Sequence, residues 1–227
     1  RGLGDVYKRQ VWGRYTFLGY DPKLEITCMN GEMCIRESGS EEGAKEPVAH
    51  PGAKIKEILK EYTSPKVKDL PSFTGGLVGY FSYDYVKYSE PKLNLDADDQ
   101  EGFKDVDLML FDKVIAFDNL RQKIYIIANA RTEDLEQEYD RCLAEIEEIV
   151  DLIEHGTPAQ ITPGKITSEF RPLFSEQEYC AMVEKAKHYI YEGDIFQVVL
   201  SNRLEADYEG SLFNAYRMLR TINPVSY

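Results

Sequence analysis

Gly193-Asp-Ile-Phe-Gln-Val-Val-Leu-Ser201 opens on a glycine and passes at once into a run that is apolar except for one glutamine. It follows a strongly amphipathic segment, so the predicted order is helix, glycine stop, buried strand. The exception, Gln197, brings two donors and an acceptor that need partners once buried. It belongs either to an internal polar network or to a ligand site. On the residues alone, such a run is more often an ordinary core strand than a site.

Working outward, Ser175-Glu-Gln-Glu178 has the spacing of a capping box and predicts a helix to about Glu192. A strand is expected over 195–203 and a helix over about 211–222. Gly156–Lys165, with Pro158 and Pro163, reads as a linker. Before it, residues 132–154 predict a long helix with Leu135, Tyr139, Cys142, Leu143, Ile146, Ile149, Val150 and Ile153 on one core-facing side. Strands are expected at 108–111, 114–117 and 123–128. Gly76–Tyr83 reads as a buried strand, and Asp96–Glu101 as an acidic loop. Pro51–Tyr62 has helical spacing behind an initial proline. Residues 37–47 are small and acidic and read as a solvated loop. Leu24–Met29 and Glu32–Arg36 flank Asn30-Gly31, a strong hairpin signal. The fold class expected is α+β: a sheet-rich N-terminal domain, then the first elements of a second α+β domain.

The composition narrows the function classes. The chain has 227 residues and a formal net charge of −13, which argues against nucleic acid or an anionic membrane as partner. No apolar stretch approaches the roughly 20 residues that span a bilayer. Cys28, Cys34, Cys142 and Cys180 form no C-x-x-C pair and read as reduced cytosolic thiols, with a cytoplasmic location expected. His50, His155 and His188 are scattered and read as surface residues. Thr74–Tyr80 matches neither the dinucleotide fingerprint nor the Walker pattern, so its glycines signal close backbone approach in a strand. A calcium loop starting at Asp96 would need glycine where Glu101 stands, so the acidic run is a solvated one and no metal ligand is assigned. Residues 1–10 are basic and aperiodic in an acidic chain; they read as a non-native scar.

Three segments together carry a resemblance: Trp12-Gly-Arg-Tyr-Thr-Phe-Leu-Gly19, Phe73–Asp84, and residues 193–201 continued by Arg203 and Leu219-Arg-Thr-Ile-Asn-Pro-Val-Ser-Tyr227. They are similar to the chorismate-utilising enzymes, most of all to the anthranilate synthase component I branch, with Thr16 where serine is usual. The resemblance implies domains at 11–155 and 173–227, the second incomplete, joined by a linker at 156–172. It implies conversion of chorismate and ammonia to anthranilate and pyruvate, with Mg2+ as cofactor and a glutamine amidotransferase subunit supplying ammonia. The magnesium ligands are expected downstream of Tyr227, and the fragment is expected to be inactive alone. Gln197 stands where water-adding relatives carry a lysine base, and would position ammonia. Asn223, Pro224 and Tyr227 match one wall of a tryptophan feedback pocket whose other wall is expected upstream of Trp12. The nearest enzyme alternative is aminodeoxychorismate synthase component I. An alternative of another class is a non-catalytic module that binds an aromatic amino acid.

Overall fold

The computed structural model describes residues 14–90, 92, 93, 99 and 101–222. The acidic loop at 96–101 lies largely outside them. Contacts divide the chain after Thr157 into two compact units.

The first unit is built on a hairpin. Strands β1 (Tyr15–Leu18), β2 (Leu24–Met29) and β3 (Glu32–Glu37) lead off, with Met29 paired to Glu32 across the turn. Asn30 and Gly31 both have positive φ (51° and 81°), the two-residue turn whose twist matches that of the strands it joins. The expected loop at 37–47 is corrected: Ala44–Pro47 forms β4 on the outer edge of β3. Its polar composition belongs to an edge strand guarded by Lys45 and Pro47, and not to a loop. Helix α1 (Pro51–Glu61) contributes Ile55 to the core cluster that also holds Leu24, Ile26, Met33, Val106 and Leu108.

Strand β5 (Gly76–Phe81) and β6 (Val106–Phe111) complete an antiparallel five-stranded sheet in the order β4-β3-β2-β6-β5. The expectation that 76–83 is a buried strand is therefore corrected in two respects. The strand ends at Phe81, and its edge position leaves Val78 and Tyr80 about half exposed. Gly79 explains the glycine spacing: a Cβ there would sit 2.0 Å from the Asp107 carbonyl oxygen, so only glycine lets the two backbones meet.

A 3₁₀ helix, Tyr83–Tyr88, returns the chain to a buried carboxylate. Asp105 is only 3% exposed. It accepts hydrogen bonds from the Tyr88 hydroxyl (2.7 Å) and the Asn30 amide (2.7 Å) and pairs with Lys87 (2.7 Å). The Tyr88 oxygen in turn accepts from the Gly31 amide at 2.8 Å. Burial pushes the Asp105 carboxyl up, but these donors outweigh it and hold it below its ordinary value. Burial and the bond to Asp105 push the Tyr88 phenol well above its ordinary value.

Asp112 alone separates β6 from β7 (Lys113–Asp118), yet the chain changes sheets there. Strand β7 lies between β1 and β8 (Lys123–Ala128) in a three-stranded sheet. Asp112 is held by Lys23 at 3.1 Å, and its carbonyl accepts from the backbone amide and the side chain of Asn129, both at 2.8 Å. At the far end of β7, Asp118 pairs with Arg14 and accepts the amides of Leu120 and Arg121. Arg14 first, then those amides, hold its carboxyl well below the usual range.

Helix α2 (Leu135–His155) packs on β8. The expected core-facing side is only partly covered: Cys142 and Ile149 are buried, whereas Leu135 and Tyr139 are about 60% exposed. Arg141 clips Glu138 (2.8 Å) and Glu145 (2.9 Å) along the helix. Arg141, then the Arg131 amide, push the Glu138 carboxyl down to about 2.

The second unit has two short ladders, β9 (Lys165–Ile166) with β12 (Tyr208–Glu209) and β10 (Arg171–Pro172) with β11 (Leu204–Glu205). Helix α3 (Glu176–Glu192) and helix α4 (Phe213–Ile222) complete it.

Replacing Tyr88 with phenylalanine should cost about 1.5–3 kcal/mol at pH 7, the range for a hydrogen bond to a charged group. The phenol pKa is raised by folding, so its stabilising share is full below pH ~10 and is lost as pH rises through the folded value. Urea unfolding of wild type and Tyr88→Phe at pH 7 and in steps above pH 10 checks both statements. Their stability difference should shrink as the solution becomes alkaline.

Candidate functional site

Helix α3 and the apolar run after it form the frame of the candidate site. Ser175 caps that helix as the sequence requires: its backbone amide donates to the Glu178 carboxylate at 2.8 Å, and its hydroxyl accepts the Glu178 amide at 3.4 Å. At the other end Gly193 takes φ +84°. Its amide reaches Ile190 O (3.2 Å) and the next amide, of Asp194, reaches Tyr189 O (3.0 Å), the paired pattern that ends a helix on glycine.

The run beyond it is not the buried strand expected over 195–203. Residues 195–203 have no strand assignment, and Phe196 and Val199 are 92% and 83% exposed. Among the described residues, no hydrogen bond reaches the backbone of residues 196–199. An extended run becomes a strand only when a neighbour supplies its ladder, and none of the described residues does so. Gln197 is exposed as well, and its amide has no protein partner among the described residues. Sequence reasoning therefore placed the segment after the correct helix and cap, and mistook its surroundings.

The end of the run is anchored. The Tyr179 hydroxyl, from the first turn of α3, donates to Leu200 O at 3.3 Å. Asn202 brackets Phe174 from both sides: it accepts the Phe174 amide at 3.0 Å and donates to Phe174 O at 2.9 Å. The Leu173 amide reaches Arg203 O at 2.8 Å, and the β10–β11 ladder continues from there. These anchors were missed in the sequence. The only signal was the change from apolar Leu200 to polar Ser201-Asn202-Arg203.

Of the residues expected to meet tryptophan, Asn223, Pro224 and Tyr227 lie outside the described residues, as does Trp12. Leu219–Ile222 of the same motif belongs to α4. Among the described residues no group of three or more His, Cys, Asp or Glu side chains could hold a metal. The described residues do not fit a magnesium centre. No helix among them is long and apolar enough to cross a membrane. All four cysteines are free thiols. In the first unit a cleft of about 450 Å3 opens between Tyr62, Arg131, Asn129 and Lys23. Three of its charged groups serve the frame: Lys23 pairs with Asp112, and Arg131 reaches the Tyr62 hydroxyl at 3.2 Å.

Comparison with known proteins agrees on one family. The model of the family described as chorismate binding enzyme matches residues 7–227. A relative from Acinetobacter calcoaceticus, anthranilate synthase component 1, is 34% identical over 221 residues, covering 95% of this chain and 44% of its own length. The protein of the same name from Aquifex aeolicus is 36% identical over 224 residues, with 96% and 44% covered. A crystal structure of anthranilate synthase component I from Streptococcus pneumoniae TIGR4 superposes with a TM-score of 0.75 at 26% identity, over 94% of this chain and 46% of that one. The chain thus spans less than half the length of these relatives.

The exposed run at 195–200 should make this chain bind a hydrophobic dye and self-associate, because an unpaired apolar strand former invites pairing with another chain. Dye fluorescence and light scattering on residues 1–227, beside a Phe196→Ser/Val199→Ser variant, test this. The variant should lose most of both signals, and a dye-silent, monodisperse wild type would contradict the expectation.

Proposed function

The chain belongs to the chorismate-binding enzyme family, and from that premise we propose that it is the front portion of an anthranilate synthase component I. The observation that carries the reading is the near-complete coverage of this chain by relatives bearing that name, at 34% and 36% identity. The proposed reaction joins chorismate and ammonia: ammonia attacks ring carbon C2, the ring hydroxyl leaves as water, and elimination of pyruvate yields anthranilate. A glutamine amidotransferase subunit would supply the ammonia, magnesium would be the cofactor of the whole enzyme, and the cytoplasm its compartment.

Gln197 supports the choice of nucleophile. Water must lose a proton as it attacks and benefits from a basic side chain such as lysine. Ammonia already presents a lone pair and needs orientation. A neutral carboxamide can hold it by hydrogen bonds and cannot act as a base near neutral pH. Gln197 lies in a solvent-accessible run between two anchors, where a substrate could reach it.

The test uses the complete parent protein with chorismate, Mg2+ and an ammonium salt, following anthranilate fluorescence. Anthranilate should form. Release of an aminated but pyruvate-bearing product would point to aminodeoxychorismate synthase, and a hydroxylated product would remove the reading. Gln197→Lys and Gln197→Glu should each lower kcat/KM for ammonia about tenfold or more, the size of one lost hydrogen bond at a reacting group. Near wild-type rates in both would take Gln197 out of the site.

Tryptophan is proposed as feedback inhibitor, with Asn223 hydrogen-bonding its charged end, Pro224 restricting the backbone beside it and Tyr227 packing on the indole. In the parent protein, Asn223→Ala or Pro224→Ala should raise the tryptophan concentration for half inhibition about tenfold. Undiminished inhibition in both variants would place the effector elsewhere.

A further inference from the structure

We propose that Tyr179 and Asn202 are positioning residues that set the register of the Gln197 segment against helix α3; the inference rests on the role of Gln197 in holding ammonia. The segment is tied to the helix at both ends. Its start is fixed where the Asp194 amide meets Tyr189 O (3.0 Å). Its end is fixed where the Tyr179 hydroxyl meets Leu200 O (3.3 Å), with Asn202 holding Phe174 at 3.0 and 2.9 Å just beyond.

The two helical anchors bound the span. Tyr179 and Tyr189 are about 15 Å apart along the axis of α3 at its normal rise. The stretch from Asp194 to Leu200 spans at most about 20 Å when fully extended. The difference of about 5 Å exceeds the rise of one residue, so the register is set by the bonds themselves, which hold Asp194 N, Leu200 O and the Asn202 side chain. A one-residue slip would turn every side chain of an extended run to its opposite side and carry the Gln197 amide away from its target.

Asn202 is well suited to close this span. Its carboxamide presents one acceptor and one donor to the amide and carbonyl of a single residue, Phe174, as a facing strand residue would. It extends the β10–β11 ladder beyond Pro172, which has no amide hydrogen of its own to give. The bond from Tyr179 lies on the Gln197 side of Asn202, so the two act in series on one segment.

The experiment measures steady-state kinetics of the complete parent enzyme with ammonium as nucleophile, for Asn202→Ala, Asn202→Asp, Tyr179→Phe and Gln197→Glu. Asn202→Ala, which removes both bonds to Phe174, should raise KM for ammonia about fivefold, with KM for chorismate unchanged. Asn202→Asp keeps the acceptor for the Phe174 amide and loses the donor, so it should fall between. Tyr179→Phe should produce a smaller rise, and Asn202→Ala/Tyr179→Phe the largest. A purely structural bracket would lower Tm and the fraction of active enzyme but leave KM for ammonia at its wild-type value; that result overturns the proposal. If Gln197→Glu leaves that KM unchanged, the reading of Gln197 fails and the proposal falls with it. Normal values in the Asn202 and Tyr179 variants beside a defective Gln197→Glu reject the bracket alone.

Discussion

A carboxylate taken almost wholly out of water must be met by donors on every side, and in the first unit Asp105 imposes that condition on three separate pieces of chain. The turn at Asn30-Gly31 supplies an amide, the 3₁₀ helix supplies Tyr88 and Lys87, and β6 begins one residue further on. Removing one donor would leave a buried charge short of partners, which costs far more than the bond itself is worth in water. The hairpin, the return from β5 and the entry to β6 are therefore placed by one polar group, while the apolar core around Ile26 and Met33 supplies the bulk of the driving force.

How much of this could be read beforehand depended on whether the signal was local. Asn30-Gly31, the capping box at Ser175 and the glycine stop at 193 are decided by a few adjacent residues, and the structure bears each out. The periodic segment at Pro51 is likewise a helix with Ile55 inward. Errors arose where the answer lay in a distant neighbour. Residues 44–47 look like loop until Ile35 is found beside them, and Val78 looks buried until β5 is found at a sheet edge. Composition alone cannot distinguish a strand at the edge from one at the centre. The Asp105 network joins residues far apart in the chain and has no sequence signature.

The run at 195–200 is the plainest instance. Its residues have strong strand character, but strand formation is a property of pairs, and its partner is not among the described residues. The candidate site shows the same division. Gln197 could be singled out by its residue type inside an apolar run, whereas Tyr179 and Asn202, which hold that run, became visible only through their bonds to Leu200 and Phe174. A chemically expressive residue is easy to notice in a sequence, and the ones that aim it are not.

The corner at Asp112 has a bearing on how chains of this kind can drift in length. Two strands of different sheets abut with one residue between them, and that residue is held by Lys23 and Asn129. An insertion here would rotate β7 by half a pleat and carry Asp118 away from Arg14. The loop before β4 and the stretch after α2 carry no such phase relation. Evolutionary gain and loss of residues should therefore collect in those two places, while the one-residue corner keeps its length as the side chains around it change.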